Sequence, residues 1–472
     1  MNAIESLRWF LPETFLTLGA FFVLLADLFS ANKKTTGVLS LAVLAGAALL
    51  CRMPEGPQPL FFGFYMLDPL THYFRMAALG MTFITVLIAL SYRGLSREQE
   101  GEFYSLLLFM TLGLILMAGS TNLLAIFLSI EFVSVLSYLL TGFLKKDGRS
   151  KEAAVKYLLV GSLASGVMLY GMSLLFGASG SLDLSEIQLV LANKSAFYAV
   201  SLASFLMISA GIGFKISMAP FHLWAPDAYE AAPTPFTAFL TVGPKAMGFA
   251  VFIRVLSSAF AWINFKWMPL IVVLSIVTMT LGNVIAIAQN NVKRLLAYSS
   301  IAQAGYILMG LAAFNSIGLE GILIYLAAYA FTNLGAFTAV IMVTNITGSD
   351  DLASFTGLGR RAPFVAASLT VFLLSLAGIP PLAGFVAKFF VFSSAIQANL
   401  NWLAIAAAVN SAVAAFYYFR IVRLMYLVPC EDTAPVRQPA PLMLALVLML
   451  AGTILLGLMP SPLINLARSV LV

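Results

Sequence analysis

Runs of about twenty apolar residues recur along the whole chain, and a helix of that length crosses the ~30 Å hydrocarbon core of a bilayer. Fourteen such runs begin near residues 9, 36, 69, 103, 122, 153, 196, 236, 267, 295, 318, 363, 400 and 440. Charged residues make up only 10% of the 472 residues, whereas roughly 25% is usual in a soluble domain. The sequence therefore predicts an all-α polytopic membrane protein with about fourteen transmembrane helices.

The connections between these runs are short and polar, for example residues 145–151 (KKDGRSK) and 289–294 (QNNVKR). None is long enough to form a separate folded domain. We therefore expect one integral membrane domain over residues 1–472. Its predicted parts are helices 1 to 3 in residues 1–102, two groups of five helices in residues 103–260 and 261–428, and helix 14 in residues 429–472.

The lysines and arginines are distributed unevenly between the loops. Fifteen of the 26 lie in the odd-numbered loops, and six lie in the even-numbered loops and the termini. Because positive loop residues stay on the cytoplasmic side, we expect both termini on the opposite, periplasmic side of a bacterial inner membrane, with an organellar membrane as the alternative. The basic residues are dispersed and form no patch, so the net charge of +6 does not indicate a nucleic-acid partner.

Glycines and prolines interrupt two of the apolar runs beside a lysine. They are Gly211, Gly213, Pro220 and Pro226 around Lys215 in the seventh run, and Pro380, Pro381 and Gly384 before Lys388 in the twelfth. Proline removes a backbone donor, and broken helices at membrane depth survive only where protein or a hydrated cavity surrounds them. Matching breaks in two halves of a chain are typical of inverted repeats. These breaks alone predict two such repeats, in helices 4 to 8 and 9 to 13.

Ionisable residues interrupt the interior of several apolar runs. They are Glu131, Lys156, Lys215, Lys245 and Lys388. A charge at bilayer depth costs at least ~2.5 kcal/mol, so each residue of this kind is a candidate for function. A buried lysine can release and regain a proton, whereas arginine cannot. The pattern indicates a proton path, although Lys156 lies near a helix end from which its side chain could reach the headgroups.

Other polar residues in or beside the runs have simpler interpretations. Glu13 and Asp27 at the ends of the first run, and Asp227 and Glu230 beyond the seventh, are expected to be solvated ends or helix caps. Arg75 shares a helical face with Asp68 and His72 and is expected to be an interfacial anchor. Tyr298, Tyr306, Tyr325 and Tyr329 are expected to pack rather than contact a quinone. His222, beside Pro220, is either a proton carrier or a packed imidazole.

The chain carries no motif for a redox cofactor or a metal. Its two cysteines, Cys51 and Cys430, are too few for an iron–sulfur cluster and too far apart for a zinc finger. No glycine-rich dinucleotide motif or phosphate loop follows a strand-like segment. We therefore expect no cofactor and no metal in this chain.

Four segments resemble the antiporter-like membrane subunits of respiratory complex I. They are residues 122–143 (NLLAIFLSIEFVSVLSYLLTGF), 215–249 (KISMAPFHLWAPDAYEAAPTPFTAFLTVGPKAMGF), 292–310 (VKRLLAYSSIAQAGYILMG) and 377–389 (AGIPPLAGFVAKF). The second segment is most similar to the subunit N group of NADH:quinone oxidoreductases. The resemblance covers essentially the whole chain, and we do not expect the long C-terminal lateral helix that the subunit L group carries.

The resemblance implies a role for each buried charge in a proton relay. Glu131 would pair with Lys215, Lys245 would be the central relay group and Lys388 the exit-side group, while Lys156 would lie near Glu131. His222 matches a histidine of the family.

The resemblance also implies partners: other antiporter-like and small membrane subunits, with the peripheral redox arm reached indirectly. FMN, iron–sulfur clusters, NADH and quinone would then be bound by partner subunits. The alternative is a subunit of a multisubunit cation/proton antiporter without redox partners. A third and simpler possibility is a structural scaffold whose charges only pair with one another.

Overall fold

The computed structural model describes residues 3–30, 34–192, 197–429 and 438–471, without the side chains of residues 97, 264 and 265. Cys430 and three of the basic residues counted for orientation, Lys33, Lys194 and Arg437, lie outside the described residues. The described helices are α1 Ala3–Trp9, α2 Leu11–Phe29, α3 Lys34–Leu50, α4 Pro69–Ala89, α5 Glu100–Gly119, α6 Leu123–Thr141, α7 Gly148–Ser179, α8 Leu184–Ala192, α9 Tyr198–Lys215, α10 Ala225–Ala231, α11 Thr234–Ser258, α12 Asn264–Ile287, α13 Val292–Ala313, α14 Ser316–Thr347, α15 Leu358–Arg361, α16 Pro363–Ala377, α17 Ala383–Gln397, α18 Asn401–Leu427, α19 Ala440–Leu458 and α20 Ser461–Leu471.

Helices of membrane-spanning length dominate the fold, as the apolar runs predict. Within the described ranges, twelve helices are long and apolar enough to cross a bilayer, and Lys34–Leu50, Pro363–Ala377 and Ala383–Gln397 are shorter apolar helices. The prediction of an all-α polytopic membrane protein is confirmed. The number of crossings and the inverted repeats stay predictions.

A small β-hairpin was not predicted from the sequence. Strand β1, Gln58–Leu60, pairs antiparallel with β2, Tyr65–Leu67, and Leu60 lies opposite Tyr65. The buried hairpin residues pack against Trp9 and Phe10 at the start of the chain. Strands of three residues leave no alternating pattern that can be distinguished from an apolar loop.

The chain forms two compact units. The first comprises Met1–Val86, Ser96–Trp224 and Gly243–Leu270, and the second comprises Leu87–Leu95, Ala225–Val242 and Ile271–Val472. Three of the five boundaries fall inside helices α4, α11 and α12, and the other two fall between helices, after Leu95 and after Trp224. Glu131, Lys215 and Lys245 belong to the first unit, and Lys388 belongs to the second.

A buried ion pair in the first unit contradicts two expectations. Arg75 and Glu13 are both 0% exposed, and Arg75 Nη2 lies 2.6 Å from Glu13 Oε1. The Tyr65 hydroxyl donates to the same oxygen at 3.2 Å. Arg75 is therefore not an interfacial anchor, and Glu13 is not a solvated helix end. Spacing along α4 places Arg75 on a face but does not reveal that tertiary packing covers that face.

Asp68, just before α4, binds Arg254 of α11 and also accepts a hydrogen bond from Thr71 N in the first turn of α4 at 2.8 Å. The two carboxylate oxygens accept from Arg254 Nη2 at 2.7 Å and from Nη1 at 2.9 Å, a bidentate geometry that planar guanidinium favours. Burial acts to raise the pKa of Asp68, but the charge of Arg254 together with the hydrogen bonds from Arg254 and Thr71 outweighs burial and holds that pKa below its usual value. Asp68 and Arg75, which were predicted to share a helical face with His72, thus bind different partners.

Both predicted interruptions are present. Helix α9 ends at Lys215 and the chain becomes helical again at Ala225, while α16 ends at Ala377 and α17 begins at Ala383. The backbone of the second break is held closely: Gly384 N donates to Ser375 Oγ at 3.0 Å. A Cβ atom on Gly384 would overlap the backbone carbonyl oxygen of Ser375.

Replacement of Glu13 by Gln should lower the midpoint of thermal unfolding strongly, because it leaves the buried Arg75 charge unpaired, a loss of roughly 3–5 kcal/mol. The double variant Glu13→Gln/Arg75→Gln should be more stable than Glu13→Gln alone. Glu102→Gln is the matched control, since its ion pair with Lys145 is exposed and such pairs contribute at most ~1 kcal/mol. Strictly additive effects of the two buried substitutions would contradict the pairing.

Replacement of Gly384 by Ala should lower the unfolding midpoint, because the new methyl group forces the two sides of the break apart, at roughly 1–3 kcal/mol or more. Gly177→Ala in helix α7 is the control, since nothing lies within 4 Å of the added carbon there. Equal midpoints for the two variants would show that the break is not packed this closely.

Candidate functional site

Helix α6 presents Glu131 near its middle. Asn122 caps the helix by accepting from Leu124 N at 3.0 Å, which satisfies one of the amides that a helix start leaves unpaired. Glu131 is partly buried and accepts a hydrogen bond from Ser165 of α7. The carboxylate therefore lies between two helices, at a depth where a charge needs a partner.

Lys215, the last residue of α9, reaches the same face of α6. Its side chain is 2% exposed, and its Nζ donates to Ser134 Oγ at 3.1 Å. Ser134 follows Glu131 by three residues, so the two lie on one helical face, and Glu131 attracts the Lys215 ammonium electrostatically. Lys215 thus contacts the face of α6 that carries Glu131, and its direct hydrogen bond is with the serine hydroxyl. The pairing of Lys215 with Glu131 stays a prediction.

The break after Lys215 is closed by side-chain and backbone hydrogen bonds. Trp224 Nε1 donates at 3.1 Å to the carbonyl of Phe214, and Met218 N donates at 2.8 Å to that of Gly213. The Tyr157 ring stacks on Trp224 with centroids 3.9 Å apart. Two carbonyls at the end of α9 therefore accept hydrogen bonds from groups of the protein itself. Such internal partners are needed in a bilayer, because its hydrocarbon core offers no water to bind them.

Lys245 lies on α11, whose apolar central segment is entirely buried inside the protein. The Lys245 side chain is itself 1% exposed. Pro244 precedes it and cannot donate the hydrogen bond expected at a helix interior position. One turn later, a Cβ atom on Gly248 would lie 2.6 Å from Ile216 and 3.7 Å from Lys215 Cβ. The absence of a side chain at Gly248 therefore lets the helix that carries Lys245 approach Lys215 closely.

The two less certain residues lie in different settings. His222 is buried in the break after Lys215, and its Nδ1 has no hydrogen-bond partner among the described residues. The Lys156 side chain is 49% exposed, and its Nζ lies 2.8 Å from Glu152, one turn earlier on α7. The structure thus places His222 inside the protein and Lys156 on an exposed helix face.

In the second unit, Lys388 lies beside the other break and is 6% exposed. Its Nζ donates to the carbonyl of Ala377 at 2.9 Å and to Ser411 Oγ at 3.1 Å. The ammonium also lies 4.5 Å from the centroid of the Tyr306 ring, a cation–π geometry. Ala377 ends helix α16, so the break frees the carbonyl that binds this lysine.

A hydrogen-bonded group of polar side chains continues from Tyr306. The Tyr306 hydroxyl accepts from Asn283 Nδ2 at 3.1 Å, and Asn283 Oδ1 accepts from the Tyr417 hydroxyl at 2.9 Å. Tyr306 is thus part of a polar network as well as a packing residue. The sequence did not point to Asn283, although a lone amide in the apolar run of α12 is a signal of this kind.

Asp227 and Glu230 on α10 are not solvated ends, contrary to expectation. Each carboxylate lies 2.8 Å from Arg294 Nη1 of helix α13. Both acids are only partly exposed, at 31% and 26%. The short helix that follows the first break is therefore fastened to α13 by one guanidinium.

Chemically, the arrangement offers buried amines, hydroxyls and one carboxylate. Lys215 and Lys388 each bind a serine hydroxyl beside a helix break, and a carboxylate is close to the first of them. Within the described part of the chain, no three His, Cys, Asp or Glu side chains lie where they could hold a metal ion. The lysine amines and the Glu131 carboxylate can take up and release protons, and the serine hydroxyls can donate and accept hydrogen bonds beside them.

The comparisons with known proteins agree with one another. The family model described as "NADH:quinone oxidoreductase/Mrp antiporter, TM" matches residues 120–414. The chain is 43% identical to NADH-quinone oxidoreductase subunit N 2 of Sorangium cellulosum, covering all of this chain and 98% of that protein. It is 42% identical to NADH-quinone oxidoreductase subunit N of Anaeromyxobacter sp. over 90% of this chain and 88% of the relative.

A solved structure gives the same result. A chain of respiratory complex I from Thermus thermophilus matches with a TM-score of 0.82 and 32% identity, over 97% of this chain and 99% of that one. Sequence relatives, the family model and the fold thus converge. The chain belongs to the NADH:quinone oxidoreductase/Mrp antiporter membrane family and, within it, to the subunit N group of NADH-quinone oxidoreductases.

Proposed function

We propose that this chain is a proton-translocating membrane subunit of an NADH:quinone oxidoreductase. The observation that carries the proposal is Lys215, a fully enclosed amine at a helix break that is bonded to the face of α6 bearing Glu131. The names of the relatives support the kind of complex to which it belongs.

The environment of Lys215 explains how it would change its charge. Ser134 is neutral, so only Glu131 offsets the charge of the ammonium among its identified partners. A buried charge without a partner is costly. When Glu131 is close, Lys215 keeps its proton, and when Glu131 is drawn away, Lys215 releases it.

The released proton would pass through water to Lys245 and then to Lys388. Lys388 is bonded to a carbonyl and a hydroxyl, again without a negative charge among its identified partners. No fixed negative charge among these partners therefore holds the amine in its protonated form, so Lys388 can both accept and release a proton. His222 is a further candidate carrier next to Lys215, and Lys156 is a candidate at the exposed face of α7.

The driving force would arise in partner subunits. Those subunits would bind FMN, iron–sulfur clusters, NADH and quinone, and the chain itself would carry out no redox step. Its direct neighbours would be other antiporter-like subunits and the small membrane subunits of the complex, in a bacterial inner membrane with both termini on the periplasmic side.

The second candidate is a cation/proton antiporter subunit without redox partners, which the family description also includes. Purification of the chain from its native membrane in mild detergent separates the two. Flavin and iron–sulfur subunits that oxidise NADH should travel with it. A partner set of polytopic chains alone would move the assignment to the antiporters.

Replacement of Lys215 by Met should abolish NADH-driven proton pumping while the complex still assembles, because the relay loses its first amine. Pumping is measured in membrane vesicles by quenching of a pH-gradient dye, and assembly by native electrophoresis. Lys146→Met, at an exposed loop position, is the control. Normal pumping stoichiometry in the Lys215 variant would refute the role.

Replacement of Lys215 by Arg should also abolish pumping, because arginine keeps the positive charge but cannot release a proton. This variant distinguishes a relay from a scaffold. If Lys215 serves only to pair with Glu131, the arginine variant should pump nearly as well as the unmodified protein in the same dye assay.

A further inference from the structure

Helix α18 is longer than a membrane crossing needs. Its 27 residues span about 40 Å at 1.5 Å per residue, whereas the hydrocarbon core is ~30 Å thick. The excess of about 10 Å is enough for the last two turns, from Arg420 to Leu427, to reach the lipid headgroups. Arginines at such a depth meet phosphate groups on one side and acyl chains on the other.

An open groove of about 880 Å³ runs along this end of α18. It is a shallow groove on the surface of one helix, since all of its lining residues belong to α18, and the apolar ones include Phe416, Phe419, Tyr426 and Leu427. Phe416 and Leu427 are 63% and 76% exposed, and the other two are each 47% exposed. A surface of this kind, in a helix that crosses a bilayer, is suited to an acyl chain.

Two exposed arginines flank the groove. Arg423 lines it, and Arg360 lines a smaller adjoining hollow of about 160 Å³ that shares Tyr426 and Leu427 with it. Neither guanidinium has an ion pair or hydrogen bond with another described residue, whereas Arg420 is fixed by Asn290 Oδ1 at 2.7 Å. Among the described residues, nothing neutralises these two positive charges at this end of α18.

The spacing between the arginines is set by close backbone packing. Gly357 N donates to the carbonyl of Leu424 at 3.1 Å. A Cβ atom on Gly359 would lie 2.5 Å from the Tyr426 ring. The turn that leads into Arg360 is therefore seated on α18, and Arg360 stays beside the same tyrosine that borders the Arg423 groove.

We propose that this groove binds an anionic phospholipid, with its phosphate between Arg360 and Arg423 and an acyl chain along Phe416 and Phe419. Guanidinium groups bind phosphate oxygens well, and basic pockets beside membrane helices select anionic lipids. A soluble anion would make no use of the apolar groove, and an apolar helix of a partner would leave two arginines unpaired. This site is independent of the proton relay.

The test places a photoreactive residue in the groove of the intact complex. Phe416→benzoylphenylalanine is introduced, native membranes are irradiated, and the adduct on the purified chain is identified by mass spectrometry. The expected adduct is an anionic phospholipid. Because each basic residue near the membrane surface contributes ~1 kcal/mol, Arg360→Gln/Arg423→Gln should reduce the adduct yield by about tenfold or more.

Lys145→Gln/Lys146→Gln is the matched control, since it removes two exposed charges at another loop and should leave the yield unchanged. Phe419→benzoylphenylalanine repeats the test if the first variant does not assemble. An adduct with a neighbouring polypeptide, or with the segment that contains Glu431 and Asp432, would overturn the proposal. So would a zwitterionic lipid adduct that is insensitive to the arginine substitutions.

Discussion

The exclusion of water from a bilayer decides where this backbone can depart from a helix. Every free amide or carbonyl at membrane depth needs a partner inside the protein, and the two breaks are built accordingly. At the first, the Trp224 indole satisfies the Phe214 carbonyl. At the second, the Ser375 hydroxyl accepts from Gly384 N and the Lys388 amine binds the Ala377 carbonyl. At the second break, the candidate relay lysine is therefore itself one of the groups that satisfy the interrupted backbone.

The buried charges fall into two kinds, and their partners distinguish them. Arg75 and Arg254 are fixed against the carboxylates of Glu13 and Asp68, and arginine keeps its charge under all ordinary conditions. Such pairs hold helices together. The lysines Lys215 and Lys388 bind neutral oxygen atoms instead, so their charge is not permanently offset, which is the setting expected of groups that change protonation.

Much of the fold could be predicted from the sequence, because apolar runs and their interruptions are local signals. The proline and glycine clusters correctly placed both breaks, and isolated lysines marked the candidate site. The partners of Glu13, Arg75, Asp227 and Glu230 could not be predicted, because each lies on another helix that the sequence does not place. The short hairpin was missed because strands of three residues leave no distinguishable alternating pattern. The lone amide of Asn283 marks a polar position, but its partners lie on other helices that the sequence does not place.

The bond between Lys215 and Ser134 has a mechanical consequence. A lysine side chain retains N–H groups whether it is an ammonium ion or a neutral amine, and Ser134 Oγ, whose own hydrogen is directed to the Ile130 carbonyl at 2.8 Å, can accept from either form. The contact between α9 and α6 therefore survives loss of the proton. In the proposed relay, α9 and α6 would therefore stay packed together while Lys215 gains and loses its proton.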